Sequence, residues 1–374
     1  MERPDTFSIT IVGAGMVGLA AAEELAGRFT RVLVVEKNES FGREISSRHS
    51  GVVHAGLYYP PGSLKARFCR EGNGLLYDMC RARRIPHRKT GKLIIALNAD
   101  DEMLLEAIRD RAESNGVGDL SLLSKKEVGL KEPALRARSA LFSPSTGIID
   151  AHLLMRSMMI AAESSGAIIA YRSRVTGIEF TGRRYRVEIN NGAYRFETDV
   201  LINCGGLHAD FLASLAGIDI DAAGYRLHYC KGSYFSASPA PAITHLVYPA
   251  IPYDAVGLGI HTTLDLGGRV RFGPDTEYVE SPEYTVSEAK REFFWREVSS
   301  YLPAVTKGSL HPDMSGVRPK RQGPGDTFRD FCISEEGEKG CPGLINLIGI
   351  ESPGLTACIP IARHLSGIVG GIVR

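Results

Sequence analysis

Hydrophobic and polar positions along the chain sort into runs with strand-like and helix-like periods. Residues 8–12 form a short β-rich run, 16–26 continue in good helix formers, and 31–35 are again β-rich and end on Glu36. These read as a strand–helix–strand unit with its turn at Gly13–Gly18. A helix is predicted over 62–84, stopped at Ile85-Pro86 because the residue before a proline is driven out of helical geometry. Residues 92–97 read as a strand, 102–115 as an amphipathic helix, and 150–165 as a helix capped by Asp150 and closed by Gly166.

The texture changes at 167–203, where short strands are separated by Gly and Asn-Gly turns, among them the hairpin signal Asn191-Gly192. Cys204-Gly205-Gly206 and a helix to about residue 216 follow. Residues 225–280 are β-rich, with many prolines and tyrosines, and His261 is predicted in mid-strand within VGLGIHTTLDL. A helix over 287–301, a strand over 344–348, a turn over 349–356 and a helix over 357–373 complete the chain. Nucleotide-type elements recur early, in the middle and late, so two interleaved domains are expected.

Composition narrows the class. The 374 residues allow two or three domains, and 44% apolar with 23% charged residues describe an ordinary globular protein. A net charge of +1 gives no basic field for nucleic acid. Seven scattered cysteines show no CxxC pair and no metal-ligand spacing, so no metal is expected and reduced thiols in a cytoplasm are favoured. The apolar stretch 8–22 imitates a secretory segment, but no basic cluster precedes it and Glu2 and Asp5 do, so it reads as strand and helix. No other long uncharged apolar run suggests a membrane span, and burial accounts for the apolar closing helix.

GAGMVG at 13–18 is the first chemical motif. Gly13 permits a tight turn, Gly15 lets the backbone approach a pyrophosphate, and Gly18 lets helix and strand pack closely. Glu36, at the end of the second strand, can accept the ribose hydroxyls. An NAD enzyme would normally continue with further strand–helix units. Here the chain leaves for SSRHSGVVHAGLYY at 46–59, with two histidines, an arginine and two tyrosines, and a second glycine-containing strand-to-helix turn appears at 349–356. A helix starting there could aim its N-terminus at a flavin ring, so FAD is favoured over NAD.

GAGMVG with Glu36, SSRHSGVVHAGLYYPPGSLKARFC, KTGKLIIAL, LINCGGLHAD, LGIHTTLDLGGRVRFGP, GVRP and ESPGLTA occur in family order over residues 8–364. Together they resemble the L-2-hydroxyglutarate dehydrogenase/oxidase family of the D-amino-acid oxidase-type FAD-dependent oxidoreductases. The resemblance implies an α/β (α+β overall) fold, with a Rossmann-like FAD-binding domain of residues 1–85, 145–217 and 330–374. An antiparallel β-sheet substrate domain of 86–144 and 218–329 would be interleaved with it. It implies oxidation of a small 2-hydroxy acid to the 2-oxo acid, with electrons leaving to a quinone, another carrier or oxygen. A quinone acceptor would add peripheral contact at the inner membrane face to a cytoplasmic location.

Departures cluster on the expected substrate side. Lys231-Gly232-Ser233-Tyr234 stands where the family usually has Arg-Gly-Glu/Asp-Tyr, and Gly349-Ile-Glu-Ser-Pro353 stands for Asn-Ala-Pro-Ser-Pro. The segment between Gly273-Pro274 and Gly316–Pro319 is also shorter than usual.

The resemblance places non-covalent FAD against Gly13, Ala14, Gly15, Met16, Val17, Gly18, Glu36 and Lys37. Ser46, Ser47, Arg48, His49, Ser50 and Gly51 of the loop, Val175, Cys204, Gly205, Gly206 and Arg318 would add contacts. Gly349, Pro353, Gly354, Leu355 and Thr356 would close around the ring. Oxidising a 2-hydroxy acid needs a base for the hydroxyl proton, and an imidazole suits this near neutral pH. His54 and His261 are the candidates, and either could instead be a hydrogen-bonded structural histidine. Arg318 is expected to hold a substrate carboxylate, with a helix-end salt bridge as its alternative. Tyr58, Tyr59, Tyr234 and Tyr253 could donate phenol hydrogen bonds, Tyr59 being placed in the catalytic set, but aromatic packing is the competing and more common role for any one of them. Lys65 and Arg67 suit a solvated or phosphate-facing position.

The alternatives are an amino-acid or amine oxidase of the same superfamily, a glycerol-3-phosphate dehydrogenase-like enzyme, and a catalytically silent flavin-binding protein. The second has an arginine in its His-Gly-Gly-Leu-Arg-Tyr run where this chain reads His54-Ala-Gly-Leu-Tyr-Tyr59.

Overall fold

Strand Thr6–Val12 lies between Val32–Val35 and Tyr194–Asn203 and runs parallel to both. Ile168–Ala170 extends this parallel sheet beyond Val32–Val35, and Cys341–Ile348 extends it beyond Tyr194–Asn203. Val32–Val35 is buried along its whole length, as a parallel strand covered on both faces must be. The early part of Tyr194–Asn203 also pairs antiparallel with Tyr185–Ile189, which pairs with Val175–Phe180, and Cys332–Glu336 flanks Cys341–Ile348. Helix Met16–Ala26 packs against helices Ala151–Ser164 and Gly354–Ile372.

This is the first of two compact units in the computed structural model, which describes residues 5–252, 257 and 259–373. It comprises Met1–Ser47, Ala151–His228 and Pro319–Arg374; the second comprises Arg48–Asp150 and Tyr229–Arg318. In the second unit, Leu246–Pro249, Lys92–Ala96, Ser139–Ser143 and Ser121–Ser124 form a four-stranded sheet in that order. A mostly antiparallel sheet orders Thr262–Leu264, Val270–Phe272, His228–Ala237 and Glu277–Val279, with Leu310–Lys320 also paired to His228–Ala237. Their shared core includes Leu93, Ile95, Phe235, Tyr248, Phe272 and Phe294, and the Phe235 and Phe294 rings lie 4.5 Å apart.

Several boundaries differ from expectation. The first unit ends at Ser47 rather than near residue 85, so helix Leu64–Arg83 belongs to the second unit. Asn73 and Tyr77 of that helix explain why: Asn73 Nδ2 donates to His54 O (2.9 Å) and Ser145 O (3.0 Å), and Tyr77 Oη donates to Ser145 O (3.1 Å). The other crossings move to 150, 228 and 318. His261 precedes its strand, which begins at Thr262, because Gly259 takes a left-handed φ of +65° just before it. Helix Ala99–Ser114 starts three residues early because the Asn98 side chain caps Asp101 N. Tyr253 lies outside the described residues.

Helix Gly354–Ile372 is apolar and long enough to cross a membrane, yet 56% of its most apolar window is buried in the structure. Ala357, Cys358, Ile361, Leu365 and Val369 are fully buried, as expected of a core helix.

A polar network ties the first unit's sheet together where three strands end. Buried Asn203 donates to Asn346 Oδ1 (2.8 Å) and Ala209 O (2.7 Å), and accepts from Gly205 N (3.1 Å). Asn346 in turn donates to Glu336 (3.0 Å). Asn203→Ala leaves these partners buried and unsatisfied and should destabilise the protein by about 1–3 kcal/mol in urea unfolding.

Candidate functional site

In the first unit the glycine turn is defined by backbone contact. A Cβ on Gly18 would lie 1.9 Å from Gly13 O, so only glycine permits the helix to start against this turn. Helix Met16–Ala26 has no side-chain cap at Gly15 and no acidic residue in its first turn. Its N-terminus is therefore open to an anion, with Met16 N already donating to Ser46 Oγ (2.9 Å). Glu36 Oε2 accepts from Ala14 N, and Oε1 accepts from Asn38 N and Nδ2, each at 2.8 Å. Three of about four lone-pair positions are thus filled, and one remains for a ribose hydroxyl.

Neighbouring groups tune this turn. Lys37 donates to Glu44 (2.8 Å), so its ammonium is already paired within the unit. Burial works to raise the Glu44 pKa, but His208 and Lys37 outweigh it and hold the carboxyl at about 2. Ser47 is exposed and donates to Glu44 O (3.1 Å). Cys204 N donates to Val12 O (2.9 Å), and burial pushes its thiol up to about 12, so Cys204 is a neutral small residue here. Val175 is buried at the start of its strand.

The second turn has similar chemistry. Gly349 has φ +73°, and a Cβ there would meet Arg321 Cγ at 2.7 Å. Pro353 caps helix Gly354–Ile372 without a side-chain hydrogen bond, and no acidic residue occupies its first turn. Glu351, one of the departures in this turn, is buried and paired with buried Lys320 at 3.0 Å. An uncapped helix N-terminus beside a glycine turn, and a carboxylate with one remaining acceptor position, fit a dinucleotide such as FAD.

The 46–59 motif divides between the units: Ser46 and Ser47 belong to the first, and Arg48 onward to the second. Within the second unit the Arg48 guanidinium lies 4.0 Å from the Tyr284 ring centroid. Gly51 N donates to His49 Nδ1 (3.0 Å). Ser50 hydrogen-bonds Tyr234, whose phenol is raised first by burial.

His54 and His261 both enter one buried cluster, joined by residues outside the expected set. The His261 ring stacks on Tyr248 at 3.8 Å and 18°, and its Nδ1 lies 2.9 Å from Gly259 O. Lys92 Nζ lies 3.9 Å from the Tyr248 centroid and 5.2 Å from that of Tyr58. Two groups this close to one centroid must occupy opposite faces, so Tyr248 is held between an ammonium and an imidazole. Burial, followed by the charges of Lys92, His261 and His49, holds His54 well below its ordinary value, leaving a neutral ring. His54, Tyr58, Tyr59 and Lys92 line a narrow crevice.

Arg318 is only partly available. Its Nε donates to Cys230 O (3.2 Å), and Nη2 to Lys231 O (3.4 Å) and Asp275 O (3.0 Å). Lys231 donates to Glu283 and Thr285 O, so this departure from the family pattern is internally paired. Lys65 is buried in the first turn of its helix, whereas Arg67 is exposed.

Lys92 and Tyr248 were missed by sequence reasoning. A usable signal existed for Lys92: it opens KLIIA, a strand buried at every position, where a charge has no solvent-facing side. Tyr248 has no such signal, because its role comes from the rings packed against it.

The family model "FAD dependent oxidoreductase" (DAO) matches residues 8–368. The mitochondrial L-2-hydroxyglutarate dehydrogenase of Arabidopsis thaliana is 38% identical, over 98% of this chain and 83% of that protein. L-2-hydroxyglutarate dehydrogenase of Escherichia coli K12 is 27% identical, over 96% and 92%. Among solved structures, an FAD-bound L-alpha-glycerophosphate oxidase from Mycoplasma pneumoniae superposes with a TM-score of 0.87 at 25% identity, over 99% and 95%. Glycine oxidase from Geobacillus kaustophilus gives 0.81 at 19% identity, over 98% and 95%, a likeness of fold.

Gly18→Ala, which forces a Cβ into Gly13 O, should yield colourless protein; the check is visible flavin absorbance per mole of purified protein.

Proposed function

The chain belongs to the FAD dependent oxidoreductase (DAO) family, and from that premise we propose that it oxidises a 2-hydroxy dicarboxylate of the L-2-hydroxyglutarate type to the 2-oxo acid. Its likeness to the Arabidopsis and E. coli dehydrogenases supports the substrate class. The observation that carries the chemistry is the buried imidazole stacked on Tyr248. Gly259 O can only accept, so Nδ1 carries the proton in the neutral His261 ring and Nε2 is its basic nitrogen. His261 is thus prepared to take the hydroxyl proton. FAD, when bound, would supply the acceptor for the α-hydrogen, transferred as hydride.

The remaining residues orient and neutralise. His54, held neutral by its surroundings, hydrogen-bonds near the reacting hydroxyl without adding a competing charge. Arg318 keeps its Nη1 for a substrate carboxylate while Nε and Nη2 fix its position. Tyr59, on the crevice wall, donates its phenol to the substrate. Electrons leave to a quinone, another carrier or oxygen, from a cytoplasmic enzyme whose seven cysteines are all unbridged.

Anaerobic mixing with L-2-hydroxyglutarate, L-malate and L-lactate should bleach the flavin, fastest with the first. Failure across a broad 2-hydroxy acid panel, or faster reduction by glycine or sarcosine, would overturn the reading. With L-2-hydroxyglutarate, His261→Ala should slow flavin reduction by about 10²–10⁴-fold with FAD retained. His54→Ala should cost less, and the reverse order would transfer the base to His54.

A further inference from the structure

Lys92 differs from several other inward-reaching cations of the second unit. Lys231 is paired with Glu283, Lys290 with Asp275 and Glu277, Arg271 with Asp313, and Arg318 is held by backbone carbonyls. Lys92 is 1% exposed, yet among the described residues no carboxylate lies within 4.0 Å of its Nζ and no hydrogen-bond acceptor meets it. Its contacts are the faces of the Tyr58 and Tyr248 rings. Such contacts are weaker compensation than an anion for a buried charge with three donors. Tyr58, which lines the same crevice, also has a buried hydroxyl with no hydrogen-bond partner among the described residues.

Two residues that line one crevice thus carry unanswered donors, one charged and one neutral. An apolar occupant would leave both unsatisfied, and a cation would be repelled. A carboxylate answers both, with one oxygen for the ammonium and the other for the phenol.

We propose that Lys92 and Tyr58 together form the site that receives one carboxylate of the substrate, an inference that rests on the 2-hydroxy dicarboxylate reading above. Lys92 is then a specificity determinant in addition to Arg318. The arrangement also sets a pH dependence. Burial pushes Lys92 down to about 7, so above that pH the vacant site must take up a proton before a carboxylate can bind. The titratable groups facing it are His54, Tyr58, Cys69, Tyr248 and His261. His54 is lowered, while Tyr58, Cys69 and Tyr248 are raised, each chiefly by burial, so these four do not titrate in that window.

The test uses FAD-loaded protein and glutarate, a dicarboxylate with no hydroxyl to oxidise, with binding read by calorimetry and by perturbation of the flavin spectrum. Lys92→Met should weaken glutarate binding by about 100-fold or more, with FAD content unchanged and ligand-free Tm equal or higher, because an uncompensated buried charge has been removed. Tyr58→Phe should weaken it by about tenfold, and the double variant should lose less than the two effects combined, as sharing one carboxylate requires. Wild-type affinity should fall about tenfold per pH unit above roughly pH 7, and the slope should vanish in Lys92→Met but persist in His261→Ala.

Glutarate binding within threefold of wild type in Lys92→Met, a pH slope that survives there, or additive effects of the two substitutions would overturn the proposal. A lower ligand-free Tm in Lys92→Met would assign Lys92 a structural role and overturn it as well. Calorimetry does not require turnover. Failure of every 2-hydroxy acid to reduce the flavin is therefore distinguishable from failure of the Lys92–Tyr58 site.

Discussion

Parallel pairing of Thr6–Val12 with Tyr194–Asn203 is the contact on which the first unit depends. Parallel neighbours cannot be joined by a tight turn, so chain must leave the sheet and return. Here the excursion includes the whole segment Arg48–Asp150 of the second unit. The register then sets Asn203 opposite both Val12 and Asn346. That places the glycine turn after Val12 beside the Cys204 backbone, whose oxygen would lie 2.6 Å from a Cβ on Gly13. The Asn203–Asn346–Glu336 network satisfies the buried polar groups at this junction, which would otherwise oppose the pairing.

Electrostatics organises the second unit differently. Most of its inward-reaching cations are neutralised internally: Lys231, Lys290 and Arg271 by carboxylates, and Arg318 by carbonyl oxygens. These pairs hold strands and loops and ask nothing of a ligand. Lys92 is oriented against the Tyr248 ring but, among the described residues, is not neutralised by a carboxylate. A buried ammonium in that state is unfavourable in the empty protein and favourable only when an anion arrives. The strain falls where His54 and His261 converge, a pattern common at sites that hold polar groups ready for a ligand.

Most regular elements were legible because their signals are local. Met16–Ala26 matches its predicted span, the strand beginning at Lys92 ends one residue short of its own, and the hairpin at Asn191-Gly192 follows from residues that accept positive φ. The misplaced features are those settled by distant partners. Helix Leu64–Arg83 joins the second unit because Asn73 and Tyr77 find acceptors at His54 and Ser145. His261 falls outside its strand because the backbone at Gly259 turns.

From the sequence alone came the dinucleotide turn with Glu36, the preference for flavin, the family resemblance and the two histidines, since glycine spacing and residue type encode them directly. Only the tertiary structure decided that Lys231 and Lys290 are paired and that, among the described residues, Arg318 keeps a single nitrogen uncommitted and Lys92 meets no counter-ion. Residue type states the charge, but whether that charge is answered depends on carboxylates and carbonyls far along the chain, which only folding brings near or leaves away.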